Sequence, residues 1–101
     1  MTRLGLYTRF TTSEGQRDRV TELLLRGATL METAAGCQLY LVNVSPDEPD
    51  TIWVTEVWDS QEHHRASLFI EGVPDVIARA MPLLAARPEQ IRLTPIGGKG
   101  L

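Results

Sequence analysis

Two neighbouring segments of this chain are apolar on both of their faces. Cys37-Gln38-Leu39-Tyr40-Leu41-Val42-Asn43-Val44 and Thr51-Ile52-Trp53-Val54-Thr55-Glu56-Val57-Trp58 are rich in the β-branched and aromatic residues that fit a pleated strand. Successive side chains of a strand point to opposite sides. Tyr40, Val42 and Val44 therefore alternate with Leu39 and Leu41, and Trp53 and Val57 with Ile52 and Val54. An antiparallel sheet covered on one face alone reads as apolar and polar in turn. Here both faces ask for cover, and a chain of 101 residues is one small domain with little left to supply it. A second copy packed sheet against sheet supplies it, so a homodimer is expected.

The remaining segments complete one pattern. Leu4, Leu6, Thr8 and Phe10 share one parity of a first strand. Ser13 and Gln16 stand at capping-box spacing before an amphipathic helix, roughly residues 14–34, whose apolar stripe is Val20, Leu23, Leu24, Gly27, Ala28 and Met31. Gly36 suits the position just past its end. Ser45-Pro46-Asp47-Glu48-Pro49-Asp50 reads as a hairpin loop of about six residues between the two central strands. Asp59 or Ser60 caps a second helix, which Gly72 interrupts and Val73-Pro74-Asp75 restarts, with Pro82 ending it. Gln90–Ile96 reads as a last strand, and residues 97–101 as a flexible tail behind a single domain of residues 1–96. The order β-α-β-β-α-β is the ferredoxin-like pattern of an α+β domain: one antiparallel sheet with its helices on a single face.

Charge and cysteine content narrow the function. Ten Lys and Arg against thirteen Asp and Glu give a net charge of -3, the wrong sign for a nucleic-acid binder that works by neutralising phosphates. Nine of the ten cations are Arg, an imbalance that points to a GC-rich bacterial gene. A single Cys excludes a disulfide framework and Cys-rich metal sites. No apolar run approaches the length of a membrane span, and Met1-Thr2-Arg3-Leu4 does not begin a signal peptide, so a cytoplasmic protein is expected.

The chemistry-bearing residues gather at Glu56-Val57-Trp58-Asp59-Ser60-Gln61-Glu62-His63-His64. Glu56 and Trp58 share a strand face with Ile52 and Val54. A carboxyl among such neighbours is either the wall of a pocket or a structural group bonded to Arg9 or a backbone amide. His63 and His64 are about 100° apart on a helix and cannot face one metal ion together. His64 shares a helical phase with Ser67 and Leu68, so it faces inward and, when neutral, is a candidate general base. Cys37 reads as a small buried hydrophobe. Tyr40 and Asn43 have opposite parity, so one takes the helix side of the sheet and the other the far side.

Gly36-Cys37-x-x-Tyr40, the proline-rich turn, Glu56-x-Trp58-x-Ser60 and Pro82-Leu83-Leu84 together resemble the antibiotic biosynthesis monooxygenase family, including its quinol monooxygenases, over roughly residues 3–96. The resemblance implies a dimeric α/β barrel that oxygenates an electron-rich aromatic without metal or flavin. Two departures stand out. Many members carry a histidine where this chain has Ser67, and His64 lies three residues earlier. Haem-degrading relatives need a ligand histidine where this chain has Leu68. No motif for flavin, nicotinamide, haem or iron occurs, so electrons for dioxygen are expected to come from the substrate and no cofactor is expected. The expected reading is a cofactor-independent monooxygenase of a hydroquinone or aromatic polyketide. Its base would be His64 or Glu56, and Trp58, Tyr40, Asn43, Ser67 and Arg9 would hold the small aromatic substrate. The alternative is a non-catalytic ligand-binding or stress-related barrel on the same scaffold.

Overall fold

The computed structural model describes residues 2–101. Strands β1 (Leu4–Thr11), β2 (Cys37–Ser45), β3 (Glu48–Trp58) and β4 (Glu89–Leu93) form one antiparallel sheet in the order β2-β3-β1-β4. Helix α1 (Arg17–Leu30) joins β1 to β2, and α2 (Gln61–Ser67) with α3 (Val73–Ala80) joins β3 to β4. Short 3₁₀ turns, Met31–Thr33 and Met81–Leu83, follow α1 and α3. This is the α+β, ferredoxin-like arrangement that the strand and helix periodicities predict.

Pairing register decides which side chains meet. Leu4, Leu6, Thr8 and Phe10 stand opposite Trp58, Glu56, Val54 and Ile52 on the inner face, under the helices. Val20 and Leu24 of α1 pack on Ile52 and Val54, Leu23 packs on Val76 and Ala80 of α3, and Leu4, Leu6, Met31, Trp58 and Val73 form the third core group. Each fully buried aliphatic side chain contributes about 1.5–3 kcal/mol, so this layer fixes both helices over β3 and β1. On the outer face Gly5, Tyr7 and Arg9 stand opposite Val57, Thr55 and Trp53. There Tyr7, Leu39, Leu41, Ile91 and Leu93 remain exposed within a single chain. Val57 is the exception: it is already buried, in a hollow bordered by Leu93, Pro95 and Leu101. Among the described residues no helix is long and apolar enough to cross a membrane.

Four local expectations are corrected. Helix α1 starts at Arg17 with Gln16 at its N-cap and no side-chain cap, because residues 14–15 form a turn and the Ser13 amide donates to Leu83 O at 2.8 Å. The hairpin connection is only Pro46-Asp47. Ser45 already faces Glu48 while Val44 faces Ile52, so an irregularity within β3 absorbs the intervening residues, among them Pro49, which has no amide to pair. Strand β4 stops at Leu93, short of Ile96, because Pro95 cannot continue the ladder. Cys37 is half-buried rather than enclosed.

Gly36 shows why the β2 entrance is built as it is. Its φ of +79° is left-handed, and a Cβ there would lie 2.4 Å from Cγ of His63. The bare backbone lets the His63 ring lie against the strand, with His63 Nδ1 2.9 Å from Ser60 Oγ, while Gly36 O accepts from the Asp59 amide at 2.8 Å. Gly36→Ala is therefore expected to cost about 1–3 kcal/mol. Thermal melting should show a midpoint lower by roughly 4–8 °C per kcal/mol for a domain of this size, and an unchanged midpoint would contradict the packing.

Candidate active site

The strand-to-helix corner after β3 brings the candidate residues together. Ser60 is the N-cap of α2, its hydroxyl accepting from the His63 amide at 3.2 Å. With α2 started there, His64 turns under the sheet and His63 turns back toward the cap. Glu56 is only 8% exposed and Trp58 fully buried. Trp58 Nε1 donates to Glu56 Oε1 at 3.0 Å, which answers how the carboxyl is satisfied: its partner is the indole two residues on, and Arg9 bonds Glu89 instead, at 2.6 Å. His64 Nε2 lies 3.9 Å from the same Glu56 oxygen, and its ring meets Trp58 edge-on at a 5.5 Å centroid distance.

Burial sets the protonation of this group. It raises the Glu56 carboxyl above its usual range, the Trp58 N–H opposing only in part. It lowers His64, and the Arg92 cation adds to that lowering. Both members are pushed toward their neutral forms at a spacing too long for a hydrogen bond. At 3.9 Å the two groups approach without a direct hydrogen bond, and burial disfavours the charged form of each. Tyr40, paired with Glu56 across β2 and β3, is raised by burial and then by the Glu56 charge, so its hydroxyl stays protonated.

Above these groups lies a cavity of about 340 Å³ between the sheet and the helices. Tyr40, Glu56, His64, Ser67, Thr8 and Gln90 give it polar points, and Phe10, Leu24, Met31, Val76, Ile77, Met81 and Leu84 give it apolar walls. Ser67 Oγ donates to His64 O at 2.6 Å, which ties the hydroxyl to its own helix and steadies the histidine. Trp58 sits behind the wall, supporting Glu56 and His64.

Three residues expected to hold the substrate do not line the cavity: Trp58 is fully buried behind its wall, and Asn43 and Arg9 are elsewhere. Asn43 and Arg9 have the outer parity. Asn43 Nδ2 donates to Trp53 O at 3.3 Å, and the Arg9 guanidinium lies 5.8 Å over the Trp53 ring. Neither reaches the cavity, because a one-residue change of parity moves a side chain to the other face of the sheet. Sequence reasoning also missed Arg92, whose exposed position at the end of the chain gave no signal. It took Gly27 and Leu24 as core alone, since their helical stripe is the same for a core and for a cavity wall. Among the described residues no three His, Cys, Asp or Glu side chains converge to hold a metal ion.

None of the curated proteins matches the chain. The family model for antibiotic biosynthesis monooxygenase matches residues 4–69. A solved structure from Chloroflexus aurantiacus J-10-fl, named for the same family, is 42% identical over 96% of both chains, with a TM-score of 0.87. Structures from Caulobacter crescentus CB15 (16% identical, 95% of this chain and 92% of that one, TM-score 0.87) and Mycobacterium tuberculosis (18% identical, 97% and 99%, TM-score 0.86) share the fold. With a family match over the strand-to-helix corner that carries Glu56, Trp58 and His64, and a full-length relative well above chance identity, the chain belongs to the antibiotic biosynthesis monooxygenase family.

Proposed function

We propose that this protein is a monooxygenase that oxidises an electron-rich phenol, a hydroquinone or an aromatic polyketide, with dioxygen and the substrate's own electrons. The observation that carries this reading is the apolar cavity with a neutral histidine, a buried carboxyl and a tyrosine hydroxyl on one wall. Such a cavity suits a flat aromatic with an oxygen at its edge. Neutral His64 takes the phenolic proton, and the phenolate transfers one electron to dioxygen. Superoxide and the aryloxyl radical combine to form a C–O bond at a ring carbon. The ring then loses its hydrogen as the O–O bond breaks, with His64 returning its proton to the departing oxygen. A hydroquinone thus becomes a hydroxyquinone: one oxygen atom stays on the ring, the other leaves as water, and the substrate has supplied all four electrons. Tyr40, the hydroxyl donor on the inner face, stabilises the developing oxyanion.

Oxygen uptake with a panel of quinols and anthrones tests this, the enzyme-free rate being subtracted at every pH. Activity should rise with pH as His64 loses its proton, with a midpoint below the ordinary histidine value of about 6.5. His64→Gln should remove that ascending limb and roughly 10²–10⁴ of the rate. Because the Arg92 cation disfavours the imidazolium, Arg92→Gln should move the limb to higher pH. Saturable binding of the same compounds with no oxygen uptake would make the chain a ligand-binding module instead.

The exposed apolar outer face supports a second proposal, that two copies pack sheet against sheet. Sedimentation should then give about twice 11.2 kDa, with at least the standard interface of roughly 1,600 Å² buried in total. Leu41, 48% exposed in the single chain, is the informative position. Leu41→Glu should yield a folded monomer, whereas a wild-type monomer at micromolar concentration would sink the proposal.

A further inference from the structure

Gly27 is a glycine that neither the backbone nor the packing of α1 requires. It lies in the buried stripe of the helix with Val20, Leu23 and Leu24, three residues before the helix ends. Glycine weakens a helix interior relative to alanine, since it has more conformational freedom to lose. The usual reasons for accepting that cost are a left-handed backbone or a close neighbour. Gly27 is not among the glycines of positive φ. A Cβ placed on it would meet Tyr40 Oη at 3.8 Å and Val76 Cγ1 at 3.9 Å, both ordinary contact distances, so alanine fits without displacing anything.

What the missing side chain leaves is space. Gly27 borders the cavity between Tyr40 on the sheet and Val76 on α3. The cavity, about 340 Å³, stands near the lower end of the roughly 300–1,000 Å³ typical of ligand sites, so a side chain's volume is a sizeable share of it. Beside that space is the Tyr40 hydroxyl, to which the described residues form no hydrogen bond and which burial keeps protonated. An aromatic whose edge oxygen accepts from Tyr40 would run its ring body along the bare backbone at Gly27.

We propose that Gly27 is a specificity-determining residue: its absent side chain opens the cavity beside Tyr40 to a fused, multi-ring aromatic, where a bulkier side chain would favour a single ring. The inference rests on the cavity being the aromatic site of the proposed function, though not on its oxidising what it binds.

The test is calorimetric binding to wild type, Gly27→Ala and Gly27→Leu under argon, with two probes. Hydroquinone has one ring. Alizarin, a three-ring dihydroxyanthraquinone, is already oxidised and binds without turnover. Alizarin should weaken about tenfold or more with alanine and further with leucine, while hydroquinone stays within about threefold. Gly27→Ala should melt no lower than wild type, which separates lost room from lost folding. Equal weakening of both probes, no change in either, or no saturable binding to wild type would each overturn the proposal. Oxygen uptake is measured separately. Ring-size discrimination without uptake would leave Gly27's role standing and remove the monooxygenase reading, and uptake with an unaltered size preference would do the reverse.

Discussion

A carboxyl buried beneath two helices is the constraint around which the rest of this structure is arranged. Glu56 is flanked by Leu6 on β1 and Tyr40 on β2, with Val54 and Trp58 beside it on the same face of β3. An unpaired polar group in such surroundings costs several kcal/mol at the upper end of the known range. Trp58 relieves it with the indole N–H, a donor that can be buried whole because the rest of the ring is apolar. The pairing works because the two residues are i and i+2 on a strand, hence on one face and one pleat apart. Once Trp58 is committed, the strand ends, Ser60 starts α2, and His64 arrives against both groups. The corner is thus a chain of local consequences from one hydrogen bond.

How much of this could be read beforehand follows from which features are local. Alternation put Glu56 and Trp58 on one face and His64 inward, because both depend only on spacing along one element. The Ser60 cap was legible for the same reason. Asn43 and Arg9 were not legible, since parity says that two residues differ in side without saying which side the helices take. That choice is made by packing from α1 and α3, which lie far off in sequence. The hairpin was overestimated for a related reason: two prolines suggested a long loop, but only Pro46 is in the turn while Pro49 sits within β3, where an irregularity spares it a ladder bond. Ser13 shows the limit of a capping pattern, its amide being claimed by Leu83 across the fold.

The sheet's two faces divide the labour between folding and function. The inner face packs α1 closely where Ile52 and Val54 meet Val20 and Leu24, and the cavity is the gap left beside that packing, bordered by Tyr40, Gly27 and Val76. The outer face holds Tyr7, Trp53 and Arg9 in contact with one another, the rings 5.8 Å apart and the guanidinium stacked above. These residues organise a surface. Their distance from the cavity means that changes on one face reach the other only through the strands themselves.

Burial of Glu56 and His64 makes the stability of the fold depend on pH. Its folded-state pKa is raised, so the unfolded chain ionises first, and stability falls as pH climbs from the unfolded value through the folded one. Above that range the full penalty remains. His64 is opposite: its folded-state pKa is lowered, so the unfolded chain takes up a proton first as pH falls below about 6.5, and stability declines only on that acid side. Near neutrality the histidine therefore costs little, and the carboxyl is the group that strains the fold. A glutamine in its place would accept the same Trp58 hydrogen bond and carry no ionisation penalty at any pH. In ionisation energy alone the amide is the less costly residue above the carboxyl's unfolded pKa. What the carboxyl has and the amide lacks is a titratable proton, held beside His64 and Tyr40 at the cavity wall.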